Sequence, residues 1–380
     1  MNIALIALPS PGKKALPPLT LAYLATLLEQ RRHIVRIYDL ALEPEASLAA
    51  VLPLLRSFRP QVVVVAGENV DLLAAVADIL RADAFATVVS ASMSRSGLDA
   101  ARVCPGVLRR ILAQIRSEPA MTLGALSGLD QLPFPARHLL SLERYPLRAV
   151  GGELQTTILI GASDAEREET ILRAPTQVIA ELRSVAMEFG VRHFLIPEVP
   201  ITSDRAWLEE WLTRLDEAAL GIRWEAIAQP RRLDADLVTL MARAGCEALR
   251  FQIDAAQVFE STAARGQVRQ VVAQARQHGI FSRGDVTLVP PYESIPYLVD
   301  VAATFGLDDV RFDVAQEEAI SAGFDETELR ELALQIYNQG RDRQRFINRF
   351  GPALGNLIWR LSGPRSPAPH QFDDEGLTAR

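Results

Sequence analysis

Cysteine is nearly absent from this chain: 380 residues hold two, Cys104 and Cys246, far apart in sequence. That scarcity excludes a disulfide-stapled scaffold. It also excludes, within one chain, any metal site or iron–sulfur cluster held by three or four thiolates. Lysine is as rare: of 40 basic residues only Lys13 and Lys14 are lysines, a bias expected of a GC-rich genome. A basic excess is missing too, because the net charge is -7. Such a balance argues against a general nucleic-acid binder, whose surface carries clustered positive charge. There is no apolar run of 18 residues or more, so no transmembrane segment is expected. The apolar N-terminus lacks a preceding basic stretch and reads as a first β-strand rather than a signal peptide. Together these absences suggest a cytoplasmic protein.

What is present is ordinary for a globular chain: 49% hydrophobic and 23% charged residues. Apolar, β-rich runs alternate with helical patterns, which favours α/β architecture with parallel sheets. In the first part, strands are expected at 2–8, 34–39, 61–66 and 86–90, with helices at 17–31, 46–57 and 69–82. Four consecutive valines, Val62 to Val65, suit a strand buried on both faces. Ligands of an open, doubly wound sheet lie beyond its strand carboxyl ends, here near 9–18, 67–69 and 90–94. In the second part, strands are expected at 155–161, 192–197, 223–228, 247–253, 282–289 and 309–313. The matching helices fall at 175–189, 203–218, 233–244, 266–278, 294–304 and 325–339. Six such units are two short of a closed barrel and fit an open partial one, with its working face at the strand carboxyl ends.

The expected organisation is therefore an open Rossmann-like domain over 1–130, a linker over 131–154 and a partial barrel over 155–340. A basic amphipathic helix at 341–360 and a disordered tail at 361–380 follow. Arg341, Arg343, Arg345 and Arg349 interleave there with Phe346, Ile347 and Phe350, ahead of Leu357, Ile358 and Trp359. That helix either packs on the barrel or docks on an acidic partner or membrane surface.

Particular motifs carry a resemblance. Leu-Pro-Pro-Leu-Thr-Leu-Ala-Tyr-Leu at 16–24, the strand at 33–39 and Leu-Pro-Phe-Pro-Ala-Arg at 132–137 are three of them. Arg173-Ala174-Pro175 with Val178, Ile179 and Glu181, and Met241 with Ala244-Gly245-Cys246, are two more. In order and spacing over about 1–320, these pieces resemble the cobalamin-binding-domain radical S-adenosylmethionine (SAM) family, which includes the anaerobic magnesium-protoporphyrin cyclase. The resemblance implies a cobalamin-binding-like Rossmann domain and a radical SAM-like partial TIM barrel. It also implies a four-iron four-sulfur cluster held by Cys-x3-Cys-x2-Cys after the first barrel strand.

This chain departs from that pattern where the chemistry would be. The stretch 159–169 carries no cysteine, and carboxylates substitute poorly for thiolates on a soft cluster. Gln229 replaces an arginine usual in the family, Gln252-Ile253-Asp254 stands for Gly-x-Glu, and Val-Pro-Pro-Tyr-Glu-Ser at 289–294 has lost the family's glycines. The cluster is therefore expected to be absent, and the chain reads as a non-catalytic partner, scaffold or ligand-binding subunit, a pseudoenzyme. Its ligand would be a tetrapyrrole or another large organic molecule. Two alternatives stand beside this: a cluster-independent enzyme using SAM for polar methyl transfer, and a corrinoid carrier.

The candidate ligand contacts are Pro17, Pro18, Gly67 and Ser90 on the corrinoid-like face, and Glu198, Gln229, Gln252, Asp254 and Glu293 at the barrel mouth. Asp164, Glu166, Glu168 and Glu169 read as a solvated acidic loop rather than a cation site. The five histidines show no metal-like spacing, and neither a Walker motif nor a Gly-x-Ser-x-Gly elbow is present.

Overall fold

The structure is a computed structural model. It describes residues 1–9, 15–43, 48–67, 69–82, 88–92, 129–164, 169–197, 199–254, 261–288 and 304–314, with 345, 346, 349–351, 354 and 358. Glu198, Glu293, Glu166, Glu168, Cys104, the helix expected at 294–304 save residue 304, the helix expected at 325–339, and the tail lie outside the described residues. So does most of the expected C-terminal helix. The fold is mixed α/β with parallel sheets, and two compact units divide the chain between Val199 and Pro200.

The first unit opens with β1 (Asn2–Ala7), β2 (Ile34–Asp39), β3 (Val62–Gly67) and β4 (Val88–Ser92), all parallel in the order β2-β1-β3-β4. Between them run α1 (Leu19–Glu29), α2 (Leu48–Phe58) and α3 (Val70–Ala82). Both faces of the sheet are packed. Ile3, Leu5, Val62 and Val64 face one apolar cluster with α1, while Ala4, Ile6, Val63 and Val65 face another with α2 and α3. That two-sided burial is why the valine run lacks alternation. Helix α1 is buried from Leu19 through Ala25, which suits its nearly uninterrupted apolar sequence.

The same unit continues with short β5 (Gln155–Thr157), and then departs from expectation. Residues 155–161 do not form one strand. After β5 the backbone turns into an antiparallel hairpin, β6 (Gly161–Asp164) with β7 (Glu169–Leu172), where a loop was expected. Helix α4 (Pro175–Glu188) and strand β8 (His193–Ile196), parallel to β5, complete this unit.

The second unit contains β9 (Arg223–Ala228), β10 (Cys246–Asp254), β11 (Phe281–Leu288) and β12 (Asp309–Val314), parallel neighbours in chain order. Helices α5 (Arg205–Ala218), α6 (Ala235–Arg243) and α7 (Thr262–Gln277) intervene. Each starts on a side-chain cap: Asp204 accepts from Trp207 N, Asp234 from Leu237 N and Ser261 from Ala264 N. Trp211 of α5 meets Trp224 of β9 edge-to-face at 5.2 Å, and both are buried. Gly245, in the Ala-Gly-Cys motif, joins α6 to β10 at φ +91, and an added Cβ would lie 2.5 Å from Ile222 O. Both the positive φ and the close approach require glycine there.

Candidate functional site

In the first unit, the strand order reverses at β1, so its ligand crevice would open beyond β1 and β3. The structure brings Pro17, Pro18 and Gly67 to this end of the sheet, and Ser90 pairs in register with Val65. Pro17 and Pro18 are buried, and their carbonyls accept from Leu19 N and Ala22 N at 2.8 and 3.0 Å, starting α1. A Cβ on Gly67 would lie 2.7 Å from Leu8 Cβ, so the missing side chain makes room for Leu8. At the end of β2, Asp39 accepts from Tyr145 OH at 2.9 Å and from Ala41 N at 3.0 Å. Burial pushes both the Asp39 carboxyl and the Tyr145 phenol above their ordinary values.

Four residues of the resemblance motifs converge on one buried cluster. Glu181 of α4 receives Arg137 Nη2 at 2.9 Å on Oε1 and Arg173 Nη1 at 2.7 Å on Oε2. Tyr23 OH donates to the same Oε2 at 3.1 Å. Arg137 also donates to Thr157 O and Arg173 to Leu159 O, both at 2.8 Å. No charged side chain in this cluster exceeds 1% exposure. Burial raises the Glu181 pKa, but Arg173 and Arg137 outweigh it and hold the carboxyl below its ordinary value. The arrangement ties α1, the 132–137 segment and α4 together; it is a clamp. The motifs carrying Tyr23, Arg137, Arg173 and Glu181 thus encode packing of the framework.

The second unit holds a different kind of buried charge. Adjacent residues of a strand point to opposite faces, and paired residues of parallel neighbours point to the same one. Leu249, Phe251 and Ile253 of β10 lie buried in the core, so the intervening residues form the other face. The register sets that face in levels. Arg250 is level with Ile227, Arg283 and, beyond it, Asp309. One level nearer the carboxyl end, Gln252 is level with Asp285 and Arg311, and Gln229 directly follows Ala228, the partner of Phe251. Asp254 and Thr287 occupy the level beyond. Two of the expected residues, Gln229 and Gln252, thus sit at adjacent strand ends.

Glu225, Arg250, Arg283, Asp285 and Asp309 on this face were not picked out from sequence. Their signal is the alternation of polar and apolar residues in Glu-Ala-Leu-Arg-Phe-Gln-Ile-Asp at 247–254 and Asp-Val-Arg-Phe-Asp at 309–313. Arg250 lies between two carboxylates, 3.5 Å from Asp285 Oδ2 and 3.8 Å from Glu225 Oε1. Both distances are ion-pair contacts beyond good hydrogen-bond range. Arg283 Nε donates to Asp309 Oδ2 at 3.0 Å. Burial lowers the pKa of Arg283, but Asp309, Glu225 and Asp285 outweigh it and hold it above the usual arginine value. Among the described residues, Gln229 Oε1, Arg250 Nε and Asp285 Oδ1 are buried with no hydrogen-bond partner. Buried polar atoms left open in this way need a water, an ion or a ligand.

The donor chemistry of the hairpin region decides whether it suits an iron–sulfur cluster. Residues 155–175 contain no cysteine and no histidine. Cys246 begins β10, at the strand end opposite to Asp254; burial pushes its thiol pKa well up, and its Sγ donates to Ala248 O at 3.6 Å. These donors do not fit a thiolate-held cluster. Among the described residues, no three His, Cys, Asp or Glu side chains gather as a metal site, and no helix is long and apolar enough to cross a membrane.

No protein-family profile and no curated protein sequence matches the chain. Solved structures do: the fold is shared with cobalamin-dependent radical SAM enzymes. One is the radical SAM methyltransferase TsrM from Kitasatospora setae, with cobalamin and a 4Fe-4S cluster bound. It has TM-score 0.56 and 14% identity, over 82% of this chain and 74% of that one. Another is the cobalamin-dependent SAM radical enzyme OxsB with aqua-cobalamin and SAM bound, at TM-score 0.55 and 10% identity. That match covers 89% of this chain but 55% of OxsB, so this chain spans little more than half of that enzyme's length.

Proposed function

We propose that this protein is a cluster-free relative of the cobalamin-dependent radical SAM enzymes, working as a ligand-binding subunit without radical chemistry. The observation that carries the reading is the stretch 155–175, which offers no thiol and folds into the β6–β7 hairpin. Reductive cleavage of SAM needs a low-potential cluster, and no other residues here supply its three thiolates, since the whole chain has two cysteines. Binding is supported separately by the open acceptors and donor gathered on the β9–β11 face. The ligand is an organic molecule entering at the strand carboxyl ends, where Gln229 and Gln252 stand. Anaerobic incubation with SAM and a strong reductant, after treatment with iron and sulfide, tests this reading. The expected outcome is no 5′-deoxyadenosine above a protein-free control. Catalytic formation of 5′-deoxyadenosine would overturn it.

A further inference from the structure

We propose that the carboxyl end of the β9–β11 face binds its organic ligand through a protonated primary amine, with Asp285 as the anchoring acceptor. This rests on the ligand-binding reading above and names the group that enters. Asp285 is 8% exposed, and among the described residues its Oδ1 has no donor. Its other oxygen lies 3.5 Å from the Arg250 guanidinium, which Glu225 shares at 3.8 Å, and Arg283 also feels its charge. Arg250 therefore neutralises Asp285 partly and leaves one oxygen open. Arg311, level with Asp285 on β12, has an interaction of its own, while Arg283 is bonded to Asp309. Arg250, Arg283 and Arg311 match Glu225, Asp285 and Asp309 in number on this face, so what is left open is the one oxygen of Asp285 rather than a missing charge.

The second open acceptor gives the ligand a direction. Gln229 Oε1 is buried without a donor at the end of β9, and Gln252 of β10 stands between it and Asp285. Two strand spacings separate β9 from β11, on the order of 10 Å, too far for one ammonium to bridge. The amine sits at Asp285, and the body of the ligand runs across Gln252, with an N–H or O–H reaching Gln229. A carboxylate or phosphate in the same place would set its lone pairs against those of Asp285 and Gln229. A charge-assisted N–H to carboxylate bond is instead among the stronger neutral-pH contacts.

Saturation-transfer NMR on the full, iron-free chain tests the assignment with benzylammonium, benzyl alcohol and benzoate at matched ionic strength. Saturable binding of benzylammonium is expected, weaker by about tenfold for the other two. Asp285→Asn is expected to weaken benzylammonium by a similar factor. Gln229→Met removes an acceptor whose loss breaks no protein contact, so it keeps the test alive if the first variant does not fold; circular dichroism reports folding. With Gln229→Met, benzylammonium binding should persist while benzylammonium derivatives bearing a distal amide lose their advantage over the parent. No benzylammonium binding, equal binding of benzoate or benzyl alcohol, or unchanged binding in a folded Asp285→Asn would overturn the proposal. Such a failure is separate from that of the cluster-free reading, which turns on SAM cleavage.

Discussion

The clamp at Glu181 and the face at Asp285 both bury charge, yet they bury it differently. Glu181 has both oxygens bonded, at 2.7 to 3.1 Å, by two guanidinium groups and a phenol. Asp285 has one oxygen at 3.5 Å from an arginine that is shared, and one with no donor among the described residues. Desolvating a charge is costly unless its hydrogen bonds are replaced. The contrast lies in the carboxylates, because Arg137 Nε and Thr157 Oγ1 beside Glu181 are themselves buried with no hydrogen-bond partner among the described residues. An open carboxylate oxygen costs stability unless a water, an ion or a ligand closes it.

Breaking the clamp should have the largest effect. Glu181→Gln leaves two buried guanidinium groups without a counter-charge, and is expected to cost about 3–5 kcal/mol in urea denaturation at neutral pH. Because the folded pKa of Glu181 lies below its unfolded value, its contribution is present above the unfolded pKa and is lost as pH falls through the folded one. Acid titration of stability should therefore be steeper for the native chain than for the glutamine variant in that acidic window. Equal slopes would remove the clamp from the account.

A smaller loss is expected at the sheet crevice. Gly67→Ala forces a Cβ against the Cβ of Leu8 and should cost about 1–3 kcal/mol, not relieved by Leu8→Ala, which keeps that Cβ. If Gly67→Ala is harmless, its bareness serves something other than Leu8. Asp39→Asn should be stabilising at neutral pH. Its folded pKa is raised, first by burial, so the ionised form is disfavoured in the fold and stability is lost as pH rises through that pKa. A large destabilisation measured by thermal denaturation would contradict this.

The smallest effect belongs to the open face. Gln229→Met should change stability by no more than about 0.5 kcal/mol, since it breaks no hydrogen bond of Oε1. Losing several times that amount would mean the face is structural after all, and the contrast with Glu181 would vanish.

Much of the framework was legible in the sequence because burial writes itself into pattern. The valine run of β3, the Asp and Ser caps of α5 to α7 and the Gly245 turn all follow from local rules. The hairpin at 161–172 was not legible: Gly-Ala-Ser-Asp and Glu-Thr-Ile-Leu are too short and mixed to announce strands. At the candidate site, Gln229 and Gln252 are singled out by their departures from the family pattern. Arg250 and Asp285 are not, because nothing local marks them; their meaning comes from register between β10 and β11, which sequence spacing alone does not fix. The clamp was half legible: Arg137, Arg173 and Glu181 stood in recognised motifs, but their convergence needs the fold.

The most direct test of the central claim is the iron and sulfide content of the full chain after anaerobic reconstitution and gel filtration. The cluster-free account predicts that neither is retained with the monodisperse protein, and that no visible charge-transfer absorption appears. Stoichiometric retention of a 4Fe-4S cluster, as in the TsrM structure, would contradict it.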